Sequence, residues 1–115
     1  MRLFIVLAVL FLFAPFALAL EYQLTDLGTL GGTNSSAFSI NNAGGIVGSS
    51  TLTGDVTGHA FKYTNGMMTD LGTLGGMSAA FAINKLGDVS GYSDTLGRGT
   101  HAFKIANGVM TDLGR

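Results

Sequence analysis

The chain has 115 residues, with six basic and seven acidic side chains for a formal net charge of −1, 18 glycines, one proline and no cysteine. The missing cysteine excludes disulfide scaffolds, thiol catalysis and cysteine metal sites. The charges stand singly with no basic stripe, which argues against nucleic acid as a partner, and the length allows one modest core.

In chain order, the first element is residues 1–19, apolar apart from Arg2 and Pro15. A basic start, an apolar run from Leu3 to Phe13, a helix break at Pro15 and the small pair Ala17 and Ala19 make the three-part layout of a secretory signal. The alternative is an uncleaved membrane anchor, since residues 3–20 carry no charge over 18 positions. Pro15 and the Ala-x-Ala site favour cleavage after Ala19. The mature chain is then residues 20–115, and it holds every glycine. Its five basic and seven acidic residues give −2. A secreted or periplasmic location follows, with a membrane contact only through the anchor if cleavage fails.

The mature chain repeats itself, and the repeat precedes any reading of secondary structure. Thr25-Asp26-Leu27-Gly28-Thr29-Leu30-Gly31-Gly32 returns as Thr69-Asp70-Leu71-Gly72-Thr73-Leu74-Gly75-Gly76, a shift of 44. Thr111-Asp112-Leu113-Gly114 opens a third copy. Ala37-Phe38-Ser39-Ile40-Asn41 matches Ala80-Phe81-Ala82-Ile83-Asn84. Gly58-His59-Ala60-Phe61-Lys62 is echoed by Thr100-His101-Ala102-Phe103-Lys104, and Asn65-Gly66-Met67-Met68 by Asn107-Gly108-Val109-Met110. The two repeats run over about 28–71 and 72–113.

The local patterns are β. His59, Phe61 and Tyr63 share one strand face, as do His101, Phe103 and Ile105. Asn65-Gly66 and Asn107-Gly108 supply the positive φ values of type I′ hairpins. Asn41 to Gly44 and Asn84 to Gly87 predict slightly longer turns, and Gly31-Gly32 and Gly75-Gly76 read as turns. Strands are expected at about 36–40, 45–49, 58–63 and 67–71, then 79–83, 88–93, 100–105 and 109–113. A ninth, at about 22–27, matches the last strand of a repeat. The fold class is therefore all-β. It consists of antiparallel four-stranded repeats resembling β-propeller blades, two of them plus an extra N-terminal strand, as an incomplete propeller or stacked sheets.

These residues resemble the bacterial extracellular HAF repeat family, named for His-Ala-Phe, which stands here as His59-Ala60-Phe61 and His101-Ala102-Phe103. The Thr-Asp-Leu-Gly-Thr-Leu-Gly-Gly and Ala-Phe-x-Ile-Asn elements fit as well, and together they cover nearly all of residues 20–115. The resemblance implies an exported β-repeat protein of propeller-like repeat size, in a family with more repeats than here and no assigned activity or ligand.

Residues that recur in both repeats are most simply packing residues. His59 and His101 read as half-buried histidines hydrogen-bonded to backbone or to a neighbouring Asp. Metal ligation needs three or four converging ligands, and the chain has two histidines. Asp26, Asp70 and Asp112 read as carboxylates closing turns. A paired-carboxylate hydrolase has only Glu21 to add. The Gly-Gly pairs precede no helix, so they form no phosphate loop, and the serines lie in no nucleophile elbow. Asp88, Tyr92, Asp94 and Arg98 occur in the second repeat alone, and Asp55 in the longer first-repeat loop. Oxygen ligation of Ca²⁺ around Asp88 and Asp94 matches no known loop spacing. Asn34-Ser35-Ser36 is formally a glycosylation sequon.

The expected function is a non-enzymatic extracellular module that binds a surface partner or self-associates through exposed strand edges. It needs no cofactor. The alternative is a carbohydrate- or small-ligand-binding propeller, making contact through Tyr63 and Tyr92 and the two histidines, although no tryptophan is present to make a sugar platform. A hydrolase at a propeller mouth is the third reading.

Overall fold

The computed structural model describes residues 20–97 and 99–114. Residues 1–19, which carry the secretory-signal expectation, together with Arg98 and Arg115, lie outside the described residues.

The described chain is all-β. Strands β1 (Gly31–Ile40), β2 (Ile46–Leu52), β3 (Gly58–Thr64) and β4 (Met67–Gly72) form one sheet in sequence order, and β5 (Gly75–Ile83), β6 (Val89–Thr95), β7 (Thr100–Ala106) and β8 (Val109–Gly114) form a second. Every pairing between these strands is antiparallel, isolated parallel bridges join Leu30 to Leu52 and Leu74 to Thr95, and neither sheet closes on itself.

The hairpins follow from turn chemistry. Asn65 and Gly66 take φ of 54° and 78°, and Asn107 and Gly108 take 53° and 76°. Both are left-handed pairs, the backbone that a two-residue type I′ turn requires. The β1–β2 turn is locked by the Asn41 side chain, whose Oδ1 accepts the Gly45 N–H at 2.7 Å. In the β5–β6 turn Asn84 Oδ1 accepts the Asp88 N–H at 2.9 Å.

Each sheet has a bulge at the start of its last ladder. Ala60 faces Gly72 while Phe61 faces Asp70, so Leu71 is the extra residue; Ala102, Phe103 and Leu113 repeat this in the second sheet. A second bulge, in β1 and β5, is matched by a glycine on the neighbouring strand. A Cβ on Gly48 would collide with the Ser36 carbonyl, and one on Gly91 with that of Ala79.

Two expectations change. The Gly31-Gly32 and Gly75-Gly76 pairs begin β1 and β5 rather than forming turns. They are glycines because neighbouring chain leaves no room: a Cβ on Gly32 would overlap the Thr51 hydroxyl, and one on Gly76 would lie 2.9 Å from Asp94 Cβ. The expected ninth strand at 22–27 is absent from both sheets, and Tyr22 and Leu24 are exposed. Its counterparts β4 and β8 pair with β3 and β7, and no such His-Ala-Phe strand precedes this segment among the described residues.

The two sheets pack through β5, which lies against β1, β2 and β3. Val47 and Ala60 of the first sheet meet Ala80, Val89, Phe103 and Ile105 of the second, with Leu71, Leu74, Ile83 and Met110 packed around them. Phe61 is buried as well, outside that cluster.

Candidate functional site

The recurring polar residues gather where β3 meets β4 and β7 meets β8. His59 Nδ1 lies 2.9 and 3.0 Å from the two carboxylate oxygens of Asp70. Asp70 Oδ1 also accepts the Gly72 N–H at 2.7 Å. The second sheet repeats the arrangement: His101 Nδ1 is 2.9 Å from both oxygens of Asp112, and Oδ1 accepts the Gly114 N–H at 2.7 Å. A carboxylate facing Nδ1 on both oxygens requires the proton on Nδ1. The histidine thus joins adjacent strands while the aspartate closes the turn after them. Asp112 is held below the ordinary carboxylate range by the His101 hydrogen bond first and the Gly114 N–H second.

Asp26 closes the same turn, accepting the Gly28 N–H at 2.9 Å, but has no histidine beside it among the described residues. Three copies of Thr-Asp-Leu-Gly therefore make one local turn, and two of them also reach a neighbouring strand.

Buried serines hold the chain where each sheet begins, and one of them crosses to the other sheet. Ser78 Oγ donates to the Gly72 carbonyl at 2.6 Å and accepts the Ala60 N–H at 2.8 Å. It thereby plugs the β3–β4 bulge from β5. Ser93 Oγ accepts the Leu74 N–H at 2.7 Å, as Ser50 Oγ accepts that of Leu30 at 2.8 Å. Ser50, Ser78 and Ser93 are the buried polar residues of the described chain. Sequence reasoning missed these serines. Their signal was recurrence at fixed repeat positions, 35 with 78 and 50 with 93.

The four residues singled out as ligand or repeat positions are not brought together. Tyr63 is half-buried opposite Ile46 and Met68, in the slot Ile105 fills in the second sheet. Tyr92 pairs with Ala102, so strand alternation turns it away from His101. Its ring lies 5.5 Å from Phe81, which lies 5.0 Å from Phe38, forming a partly exposed aromatic row.

The carboxylates peculiar to one repeat serve their own loops. Asp55 accepts the Thr33 N–H at 2.8 Å and the Thr33 hydroxyl at 3.0 Å. The Thr33 N–H is the first cause holding its carboxyl below the usual range. Asp94 accepts the Thr100 hydroxyl at 2.7 Å, and Asp88 the Asn84 amide at 3.3 Å. Among the described residues no three His, Asp or Glu side chains gather to hold a metal ion.

Between the sheets lies a cavity of about 130 Å³ beside Ser36, Ser49, Ser78 and Tyr92. That is below the roughly 300–1,000 Å³ of small-molecule sites, a range that two open surface hollows of about 340 Å³ do reach, one beside Ala82, Asp88 and Lys104 and one beside Phe38 and Ile46. No family model, curated protein or solved structure matches the chain.

Proposed function

We propose that this chain is an exported, non-enzymatic β-repeat module that works by binding or self-assembly outside the cytoplasm. One observation carries the reading: its recurring histidines, aspartates and serines are taken up by strand and turn hydrogen bonds, once per repeat. Catalysis needs a nucleophile or acid–base pair free to meet substrate; each histidine Nδ1 and its aspartate are engaged with each other, and the remaining ring nitrogen of His101, Nε2, has no partner among the described residues but is buried away from solvent. Export rests on the layout of residues 1–19, and the resemblance to extracellular HAF repeats supports the same location. Light scattering of the purified protein across a concentration range tests the assembly arm. A mass that grows above the monomer supports it. A strict monomer that also binds no cell-surface material overturns the reading.

The aromatic row favours a second reading, a carbohydrate-binding surface. Sugars dock by their apolar faces on exposed rings, and Phe38, Phe81 and Tyr92 offer a contiguous set. Binding on a glycan array that Tyr92→Ala removes would establish it; a blank array would dismiss it.

A further inference from the structure

Segment 23–28 is built as the last strand of a sheet, yet it has no sheet. It matches β8 in four of six positions, with Thr25, Asp26, Leu27 and Gly28 standing for Thr111, Asp112, Leu113 and Gly114. Its turn is already formed by Asp26 and Gly28. Beyond the turn, Ser35 Oγ donates to the Gly28 carbonyl at 2.7 Å, as Ser78 does to Gly72. Half of each interaction is therefore in place. Among the described residues, Asp26 lacks a histidine and Ser35 lacks the backbone N–H that Ser78 receives from Ala60. Leu24, in the position of the packed Met110, is fully exposed.

The missing halves exist in the second sheet. Ala102 holds the place of Ala60, but it is exposed and no serine accepts its N–H among the described residues. His101 stands on β7, whose outer neighbour β8 is an edge strand with Val109 and Leu113 exposed. We propose that segment 23–28 of one copy of the chain replaces β8 on β7 of a second copy, Asp26 taking the place of Asp112 on His101 and Ser35 accepting the Ala102 N–H. This rests on the self-assembly arm of the proposed function and supplies its geometry.

The exchange is balanced in bonds. The ladder, the His–Asp contact and the bulge lost with β8 are remade by a near-identical strand, the condition under which swapping costs little. The gain is the Ser35–Ala102 bond; Leu24 is buried where Met110 leaves the core, an even trade of apolar contact. The contact is head-to-tail, repeating between copies the relation of the first sheet to the second, so it propagates into a ring or a filament.

Engineered cysteines test it without background, because the chain has none. Lys104 faces Thr111 across the β7–β8 ladder, and the exchange puts Thr25 of the other copy there. A mixture of Thr25→Cys and Lys104→Cys chains under mild oxidation is expected to yield a disulfide-linked pair. Thr25→Cys mixed with Lys85→Cys, in the exposed β5–β6 turn, is expected to yield little. Adding Asp26→Ala or Ser35→Ala to the Thr25→Cys chain lowers the yield, by about tenfold for the charge-assisted contact of Asp26. The double variant Lys104→Cys/Thr111→Cys ties β8 to β7 within one chain. Oxidised, it loses association by light scattering; reduced, it regains it. Linkage no greater than in the Lys85 control, or association undiminished in the tied chain, overturns the exchange. If wild-type chains associate without the Thr25–Lys104 link, self-assembly stands and the exchange falls. If they are monomeric throughout, both fall.

Discussion

Ala60 donates its backbone N–H to the Ser78 hydroxyl across the boundary between the two sheets, at 2.8 Å and out of contact with water. The same hydroxyl donates to the Gly72 carbonyl. One small side chain thus satisfies both backbone groups left open by the β3–β4 bulge, and it does so from the next sheet. The second sheet is tied to the first at this point, and also where the Asn41 amide donates to the Asn84 carbonyl and the Lys62 ammonium to the Gly87 carbonyl.

Ser78→Ala leaves the Ala60 N–H buried and unpaired and takes the hydroxyl from the part-buried Gly72 carbonyl. The expected loss is about 1–3 kcal/mol, the penalty for an unsatisfied buried polar group. Ser35→Ala removes the equivalent hydroxyl where it is exposed, and about 0.5 kcal/mol or less is expected. Urea denaturation of the two variants side by side measures the difference. Equal losses would mean that the boundary is not held at Ser78.

Much of this architecture is legible in the residues, and the part that is not has a physical boundary. Asn65-Gly66 and Asn107-Gly108 specify their turns locally, because few residues accept two successive positive φ values, and the structure has both. Asp26 shows where local information ends. Its tetrapeptide makes the turn it makes in β4 and β8, but a ladder needs a partner strand, and segment 22–27 has none among the described residues. Ser78 acts on Ala60, 18 positions earlier and in another sheet, and no spacing within its own strand announces that. The Gly-Gly pairs misled for a related reason: they are small because the end of the neighbouring strand and the residues after it press on β1 and β5.

The His101–Asp112 contact carries a pH dependence. The Asp112 carboxyl is depressed below its ordinary value of 3.8, chiefly by His101. A depressed carboxylate stabilises the fold fully above its unfolded pKa and loses that contribution as pH falls through the folded one. Stability should therefore decline on acidification below about pH 4, and Asp112→Asn should flatten part of that decline. Asp55 is depressed too, by Thr33, so the remaining slope should diminish further in an Asp55→Asn background. Thermal midpoints between about pH 5 and pH 2 read both. A wild-type midpoint that does not move on acidification would contradict the assignment.

Gly91 lets β5 bulge toward β6. A methyl group there meets the Ala79 carbonyl, backbone that has no rotamer to change. Gly91→Ala is expected to destabilise by about 1–3 kcal/mol, the usual range for overpacking. Gly108→Ala tests a different cause. The space around Gly108 is open, but its φ of 76° strains any side chain, so about 1 kcal/mol is expected. Calorimetry of the two variants should rank Gly91→Ala as the more damaging.

The face that would receive a second copy differs between the two sheets. In the first sheet that face carries Val47 and Ser49, with Val47 completely buried under the second sheet. The second sheet has Ser90 and Tyr92 at the same two positions, one polar and one bulky. An association that repeats the internal boundary between copies is therefore weaker than that boundary, since it trades a valine for a serine and must turn a phenol aside. Ser90→Val with Tyr92→Ser restores the first sheet's residues, and the mass measured by light scattering is expected to rise at lower protein concentration. Generic stickiness from an added valine gives the same direction, so the control is decisive. With Asp26→Ala in the same chain the gain should vanish, because the strand that brings the copies together has lost its hold on His101. A gain that survives Asp26→Ala would show that the added apolar surface, not the repeat geometry, drives the association.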